Sequence, residues 1–364
     1  MKKIKKLLGV MLLCLMVVSS FTGCGKTNTS STAGNTGGET GTVEESPKET
    51  AEGKKLVIGF SLPTLQEERW ARDKEAMENY AKSKGIELLV QIADMDAQKQ
   101  ANQCENLISQ GIDVLILAPH DASSAAAIVE SARASNVPVI SYDRLVMDTD
   151  LDLYISFDNV KVGEIQGKYL TEHLDKGNIV WLAGAPTDNN AKLFKQGAAK
   201  YLQPKIDSGD YKVILEQDVI DWKPDNALKI MEQALTLANN DIQGVLAPND
   251  GTAGGCIQAM NAQGITDKVV ITGQDAELAA AQRIVNGEQD MTVFKDTRKL
   301  ATAALDAAIT MASGGKVETN GAVTNNNKMD VPSLLLEPVA VDKDNIDEIL
   351  IDSGYLKRED VYKN

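Results

Sequence analysis

The sequence predicts an α/β protein made of two doubly wound parallel-sheet lobes. Three observations carry this expectation. From residue 55 onward, short β-rich runs alternate with longer helical stretches, the pattern of strand–helix–strand units joined by right-handed crossovers. Two marks recur along the chain: LAPHD at 117–121 and VPVISYD at 137–143 are echoed by LAPND at 246–250 and KVVITGQD at 268–275, at offsets of 129 and 132 residues. A duplicated lobe explains a near-constant offset, and βα punctuation arising twice is the plainer alternative. The length of 364 residues suits two lobes of this kind.

Residues 1–23 read as an export signal, with the basic MKKIKK followed by an apolar run too short and wrongly flanked for a spanning helix. The segment ends in Phe21-Thr22-Gly23-Cys24, which resembles a lipobox, with Cys24 the expected lipidation site. Ordinary cleavage leaving a free Cys24 is the alternative. Residues 24–54 are rich in Gly, Ser, Thr, Asn and Glu and nearly devoid of apolar side chains. They cannot bury a core and are expected to be a flexible, lipid-anchored linker. The predicted strands of the first lobe are 56–60, 86–93, 113–119 and 137–141. Those of the second lobe, with the turns that end them, are 178–184, 212–218, 244–250 and 268–275.

The formal charge of −15 argues against nucleic acid, whose phosphates need a basic face. No GxxxxGK[ST] and no strand-borne GxGxxG is present, and Gly59-Phe60-Ser61-Leu62-Pro63 lacks the second glycine of a nucleophile elbow. The two histidines, His120 and His173, stand in no zinc spacing. His173 reads as a helix-end surface residue, and His120 as either a cleft-rim or a helix-entry residue. Cys104 and Cys256 form no CxxC pair and read as small buried hydrophobes. With so little acid–base equipment the chain is not expected to be an enzyme, and neither a metal nor a cofactor is expected.

Ligands of open parallel sheets sit beyond the carboxyl ends of the strands. Two facing lobes would therefore line a cleft with Asp143 and Arg144, which follow the apolar strand 137–141, and with Asn249, Asp250 and Asp275. Arg69, Arg144 and Lys295 against Asp143 and Asp275, with the amides of Asn190 and Asn249, make a set mixed in sign. Such a set repels a phosphate or dicarboxylate but suits a neutral polyol, whose hydroxyls both donate and accept. Of three tryptophans, Trp70 and Trp222 lie at strand-to-helix junctions, where an indole can cover the apolar face of a sugar ring or simply pack the core. Trp181 lies inside a strand and reads as core. For Asp143 and Arg144 a local ion pair capping the next element is the alternative reading.

ERWARD (68–73), YDRLVMDTDLDLYISFDNVKVGE (142–164), PTDNNAKLF (186–194), NALKIMEQAL (226–235), NDGTAGGCIQAM (249–260), ITGQDAEL (271–278) and MTVFKD (291–296) together identify a resemblance. From about residue 55 to the C-terminus the chain resembles the bacterial D-xylose-binding proteins of ABC sugar importers, within the ribose/galactose type of periplasmic binding protein. The resemblance implies a periplasmic binding protein type I fold with three crossings between lobes, near Phe157-Asp158, near Lys295-Asp296 and around Val331-Pro332. The lobes would then be 55–157 plus 296–332 and 158–295 plus 333–364. It implies sugar contacts at Arg69, Trp70, Asp143, Arg144, Asn190, Trp222, Asn249, Asp275 and Lys295. The sequence departs from the family at His120, and at Pro63 and Thr64 where acids often stand, which bears on the rim alone. The implied function is an extracytoplasmic lipoprotein, held to the cell membrane and monomeric, that captures D-xylose and hands it to an ABC permease with its ATPase. Alternatives are a receptor for ribose, glucose or galactose, a sensory protein docking on a membrane sensor, a sugar-modifying enzyme, and a purely structural surface protein.

Overall fold

The computed structural model describes residues 55–363; the export signal, Cys24 and the whole linker lie outside the described residues. The first sheet is built from β1 (Val57–Leu62), β2 (Glu87–Ile92), β3 (Val114–Leu117), β4 (Val139–Tyr142) and β5 (Leu153–Phe157), wound by α1 (Glu68–Lys84), α2 (Ala97–Ser109) and α3 (Ala126–Ala134). The chain then enters α4 (Asn159–His173), β6 (Gly177–Ala183), α5 (Asn189–Asp207), β7 (Tyr211–Asp218), α6 (Pro224–Ala238), β8 (Gly244–Leu246), α7 (Asp250–Asn261), β9 (Val270–Ile271), α8 (Leu278–Asn286) and β10 (Met291–Phe294). It returns through α9 (Thr297–Ala312), β11 (Ala322–Asn325) and β12 (Asp330–Leu336), and ends with β13 (Val339–Asp342) beside β10 and the terminal segment beyond it.

The strand orders are β11-β12-β5-β4-β3-β1-β2 in the first sheet and β7-β6-β8-β9 in the second. Read from each lobe's own first strand, both run 2-1-3-4, the doubly wound order the alternating pattern predicts. Period-two alternation sorts the apolar side chains of the first sheet. Ile58, Phe60 and Leu62 of β1 pack with Trp70 and Met77 of α1 and Leu300 and Leu305 of α9. Leu115 and Leu117 of β3 face the other way, onto Cys104 and Leu107 of α2 and Val129 of α3. Each large side chain so buried contributes roughly 1.5–3 kcal/mol. Trp181 is in the second lobe's core beside Leu170 and Leu202, as its strand position predicts. Cys104 and Cys256 are buried and free, and burial pushes their thiols up to about 11 and about 12. That leaves them little thiolate to react. His173 ends α4, its Nδ1 2.8 Å from the carbonyl of Tyr169 and its ring stacked on the Tyr169 ring.

The third passage between lobes differs from expectation. β12 does not break at Val331-Pro332 but pairs in parallel with β5 from Ser333↔Tyr154 to Leu336↔Phe157. Proline signals a strand end when it removes a ladder donor; here it precedes the first residue paired with β5, so no bond to that strand is lost. We propose lobe boundaries of 55–157 plus 296–336 for the first lobe and 158–295 plus 337–363 for the second.

The duplicated marks occupy matching places. Asp143 donates its N–H to the carbonyl of Ile155 at 2.8 Å, and Asp275 its N–H to the carbonyl of Val293 at 2.9 Å. Three residues beyond each acceptor, Asp158 and Asp296 cap α4 and α9 by accepting from Lys161 N and Arg298 N.

Candidate functional site

Each lobe turns its strand ends toward the other, and between them lies a small, polar cavity. All nine expected residues line it: Arg69, Trp70, Asp143, Arg144, Asn190, Trp222, Asn249, Asp275 and Lys295. None is more than 7% exposed. Asp250, also placed at the cleft by its strand-end position, does not line it; it is buried behind the cavity, bonded to Gln289 and Thr292. His120 does not line it either; it is half-buried, with its N–H donated to Gln100 Oε1 at 2.8 Å. At the rim, Thr64 accepts from the N–H of Gln66 through Oγ1 at 3.0 Å.

Helix starts place three of these residues. Arg69 and Asn190 are each the second residue of a helix that follows a lobe's first strand, α1 and α5. Asn249 is the N-cap of α7, its Oδ1 accepting from Thr252 N in a capping box, so the amide is fixed before any ligand arrives. Strand ends place others in strained backbone. Asp143 (φ 59°), Asp275 (φ 97°) and Trp222 (φ 58°) are all left-handed without being glycine, which costs on the order of 1–3 kcal/mol each and concentrates at functional sites. The surroundings hold Asp143 there: its carbonyl accepts from Tyr154 Oη and Ser156 Oγ, both at 2.8 Å, and from Asn190 Nδ2 at 3.0 Å. Trp222 packs against Gly184, where an added Cβ would stand 2.0 Å from the indole. Its other neighbour is Phe194, edge-on with ring centroids 6.4 Å apart.

Charges in the cavity are paired across short distances. Arg69 Nη1 meets Asp143 Oδ1 at 2.5 Å, and its Nε and Nη2 meet Asp73 Oδ2 at 3.1 and 3.0 Å. Asp73 also accepts from the hydroxyl of Tyr142. Arg144 Nε lies 2.9 Å from Asp188, and Lys295 Nζ 3.1 Å from Asp275. Weaker links at 3.9 Å join Arg69 to Asp275 and Lys295 to Asp143. Burial opposes charge on Arg69, Asp73, Asp143 and Asp188. For Asp143, Arg69 and Lys295 outweigh it and hold the carboxyl below the ordinary value. For Asp73 burial wins against Arg69, and the carboxyl rises to about 6. Burial likewise raises Asp188 against Arg144. The guanidinium of Arg69 sits over the Trp70 ring at 4.4 Å, with Arg144 5.2 Å from the same ring. Buried polar atoms without a hydrogen-bond partner include Nε1 of Trp70 and of Trp222, Oε1 of Gln274, Oε2 of Glu67 and Oδ1 of Asp275. For Asp275 Oδ1 the Lys295 ammonium is close enough to pair electrostatically but is not aligned for a bond.

Four lining residues were not singled out from sequence: Glu67, Asp188, Phe194 and Gln274. Asp188 and Phe194 were legible, since one is the N-cap preceding Asn190 and the other lies one helical turn beyond it, on the same face. The close crossing of α4 and α5 presses Phe194 into place, because a Cβ on Gly163 would stand 1.9 Å from its carbonyl oxygen. Among the described residues no group of three or more His, Cys, Asp or Glu is arranged to hold a metal.

Residues 58–316 match the family model described as periplasmic binding protein domain. The chain belongs to the periplasmic binding protein family. This binding protein is 46% identical to a D-xylose-binding periplasmic protein of Haemophilus influenzae over 86% of its own length and 94% of that protein. It is 44% identical to a D-xylose-binding periplasmic protein of Escherichia coli K12, covering 85% and 94%. A carbohydrate transporter solute binding protein from Chloroflexus aurantiacus, solved in complex with D-glucose, superposes with a TM-score of 0.80 at 37% identity, covering 85% of this chain and 98% of that one.

Proposed function

We propose that this binding protein captures D-xylose between its lobes on the extracytoplasmic side and delivers it to an ABC importer. The observation that carries the reading is the cavity itself. Three cations, Arg69, Arg144 and Lys295, are each paired with a carboxylate, Asp143, Asp188 and Asp275, and Glu67 adds a further acceptor, so the space between them suits an uncharged ligand dense in hydroxyls. In this reading Asp143 and Asp275 accept from hydroxyls and Arg69, Arg144 and Lys295 donate to them. The amides of Asn190 and Asn249 do both, and Trp70 and Trp222 cover the ring faces. Sugar bound to both lobes favours the closed form by its differential contacts. The expected lipid anchor at Cys24 would keep the receptor beside its permease, with the chain acting as a carrier rather than a catalyst.

A second reading, a receptor for a hexose, is favoured by the likeness to the D-glucose-bound protein. Isothermal titration of the purified protein with D-xylose, D-glucose, D-galactose and D-ribose separates the two. Tight one-to-one binding of D-xylose is expected. Silence with D-xylose beside tight binding of a hexose would overturn the first reading in favour of the second.

A further inference from the structure

Glu67 occupies the N-cap position of α1 in extended backbone (φ −78°, ψ 135°), yet its side chain makes no cap bond. The carboxylate instead joins the lining of the cavity and is 7% exposed. Its Oε1 accepts from Gln66 Nε2 at 3.2 Å, while Oε2 is buried with no hydrogen-bond partner. The other cavity carboxylates are each committed to a cation: Asp143 to Arg69 at 2.5 Å, Asp188 to Arg144 at 2.9 Å and Asp275 to Lys295 at 3.1 Å. Glu67 forms no ion pair among the described residues, so it is the cavity acid with the most acceptor capacity to spare. A buried carboxylate oxygen left without a donor is unfavourable, and a ligand hydroxyl is the donor the cavity admits. Gln66 fixes the orientation of the group: the same Nε2 donates to the carbonyl of Asp221 at 3.3 Å, in the opposite lobe and beside Trp222. The carboxylate is thus aligned when the lobes meet.

We propose that Glu67 is a further ligand-contacting residue whose Oε2 accepts from a sugar hydroxyl, and that it determines which monosaccharides are preferred. The proposal rests on the sugar-receptor reading and deepens it. Sugars that place a hydroxyl against Glu67 gain a charge-assisted bond, and sugars that do not leave the carboxylate unpaired.

The test is isothermal titration of wild type, Glu67→Gln and Glu67→Ala with D-xylose, D-glucose, D-lyxose and L-arabinose. These sugars differ in single hydroxyl orientations or in an added hydroxymethyl group. Melting temperatures without sugar serve as the control for folding. Glu67→Gln keeps the shape, and both variants are expected to melt near wild type. The expected result is a loss of about tenfold or more for the best-bound sugar in both variants, with smaller losses for the poorer ones, so that the ranking narrows. Wild-type binding with both variants within twofold on every sugar would overturn the proposal and leave the receptor reading intact. An equal loss on all sugars would overturn the selectivity role. Wild type silent with all four sugars would instead count against the receptor reading, and Glu67 would fall with it.

Discussion

Glu68 is expected to act as a latch between the lobes. Its Oε2 accepts the N–H of Leu278, the first residue of α8 in the second lobe, at 2.9 Å. Reciprocally, Glu277 Oε1 accepts the N–H of Glu68, the first residue of α1, at 3.3 Å. Each carboxylate thus caps a helix of the opposite lobe, a contact that exists only when the lobes meet. Glu68→Ala removes the shorter cap, which is worth about 1 kcal/mol. It also frees Arg72, held by Glu68 Oε1 at 2.8 and 2.5 Å, whose Nη1 reaches the carbonyl of Tyr355 in the second lobe at 3.2 Å. The Glu68–Arg72 pair is partly exposed and adds at most a few tenths of a kcal/mol in itself. The combined loss of about 1–2 kcal/mol corresponds to roughly 5–30-fold weaker binding. Because the latch forms after encounter, the change is expected in the dissociation rate rather than the association rate. With Trp70 and Trp222 in the cavity wall, stopped-flow tryptophan fluorescence reads both rates, and titration calorimetry reads the affinity. The melting temperature without sugar is expected to stay near wild type. An affinity and a dissociation rate within twofold of wild type would refute the latch.

Arg144→Ala and Asp275→Ala each strand a buried partner, Asp188 and Lys295 respectively, and should weaken D-xylose binding by on the order of 2–4 kcal/mol in calorimetry; unchanged affinity in both would refute the site. Gly184→Ala places a methyl where the Trp222 indole lies, so affinity is expected to fall at least tenfold while circular dichroism of the fold stays unchanged. The pH dependence has a definite sign. Burial, with Asp250, Asp275 and Glu68 adding to it, raises the Glu277 carboxyl to about 8 in the closed form. Opening the cleft removes Glu68 and part of that burial and lowers the pKa, so closure takes up a proton. Closure is then most favoured at low pH and loses that contribution as pH rises through about 8. Titrations between pH 6 and 9 should show weakening binding, and Glu277→Gln should flatten the profile.

How much of this molecule could be read from its sequence varies with how local the deciding physics is. The β1-to-β4 strands and their helices were legible because period-two apolar runs and Ala-rich helices carry their own signal. The ends of those strands were legible for the same reason: an apolar run that stops in Asp143-Arg144 has to present them beyond the sheet. The third crossing, expected around Val331-Pro332, was hard to place because how far β12 runs depends on its pairing with β5. Glu67 was passed over because a Glu beside a helix start normally faces water.

The sequence by itself determined the duplicated α/β order, the strand-end residues, the mixed charge of the cleft and the family, since each is written in neighbouring residues or in recurring marks. Tertiary structure alone decided which charges pair, such as Arg69 with both Asp73 and Asp143, and Arg144 with Asp188. It alone decided that Glu67 turns inward and that Glu68 and Glu277 cap each other's helices. The reason is physical. These contacts join residues up to 210 positions apart, and their strength depends on distance and burial, quantities that exist only once the two lobes meet.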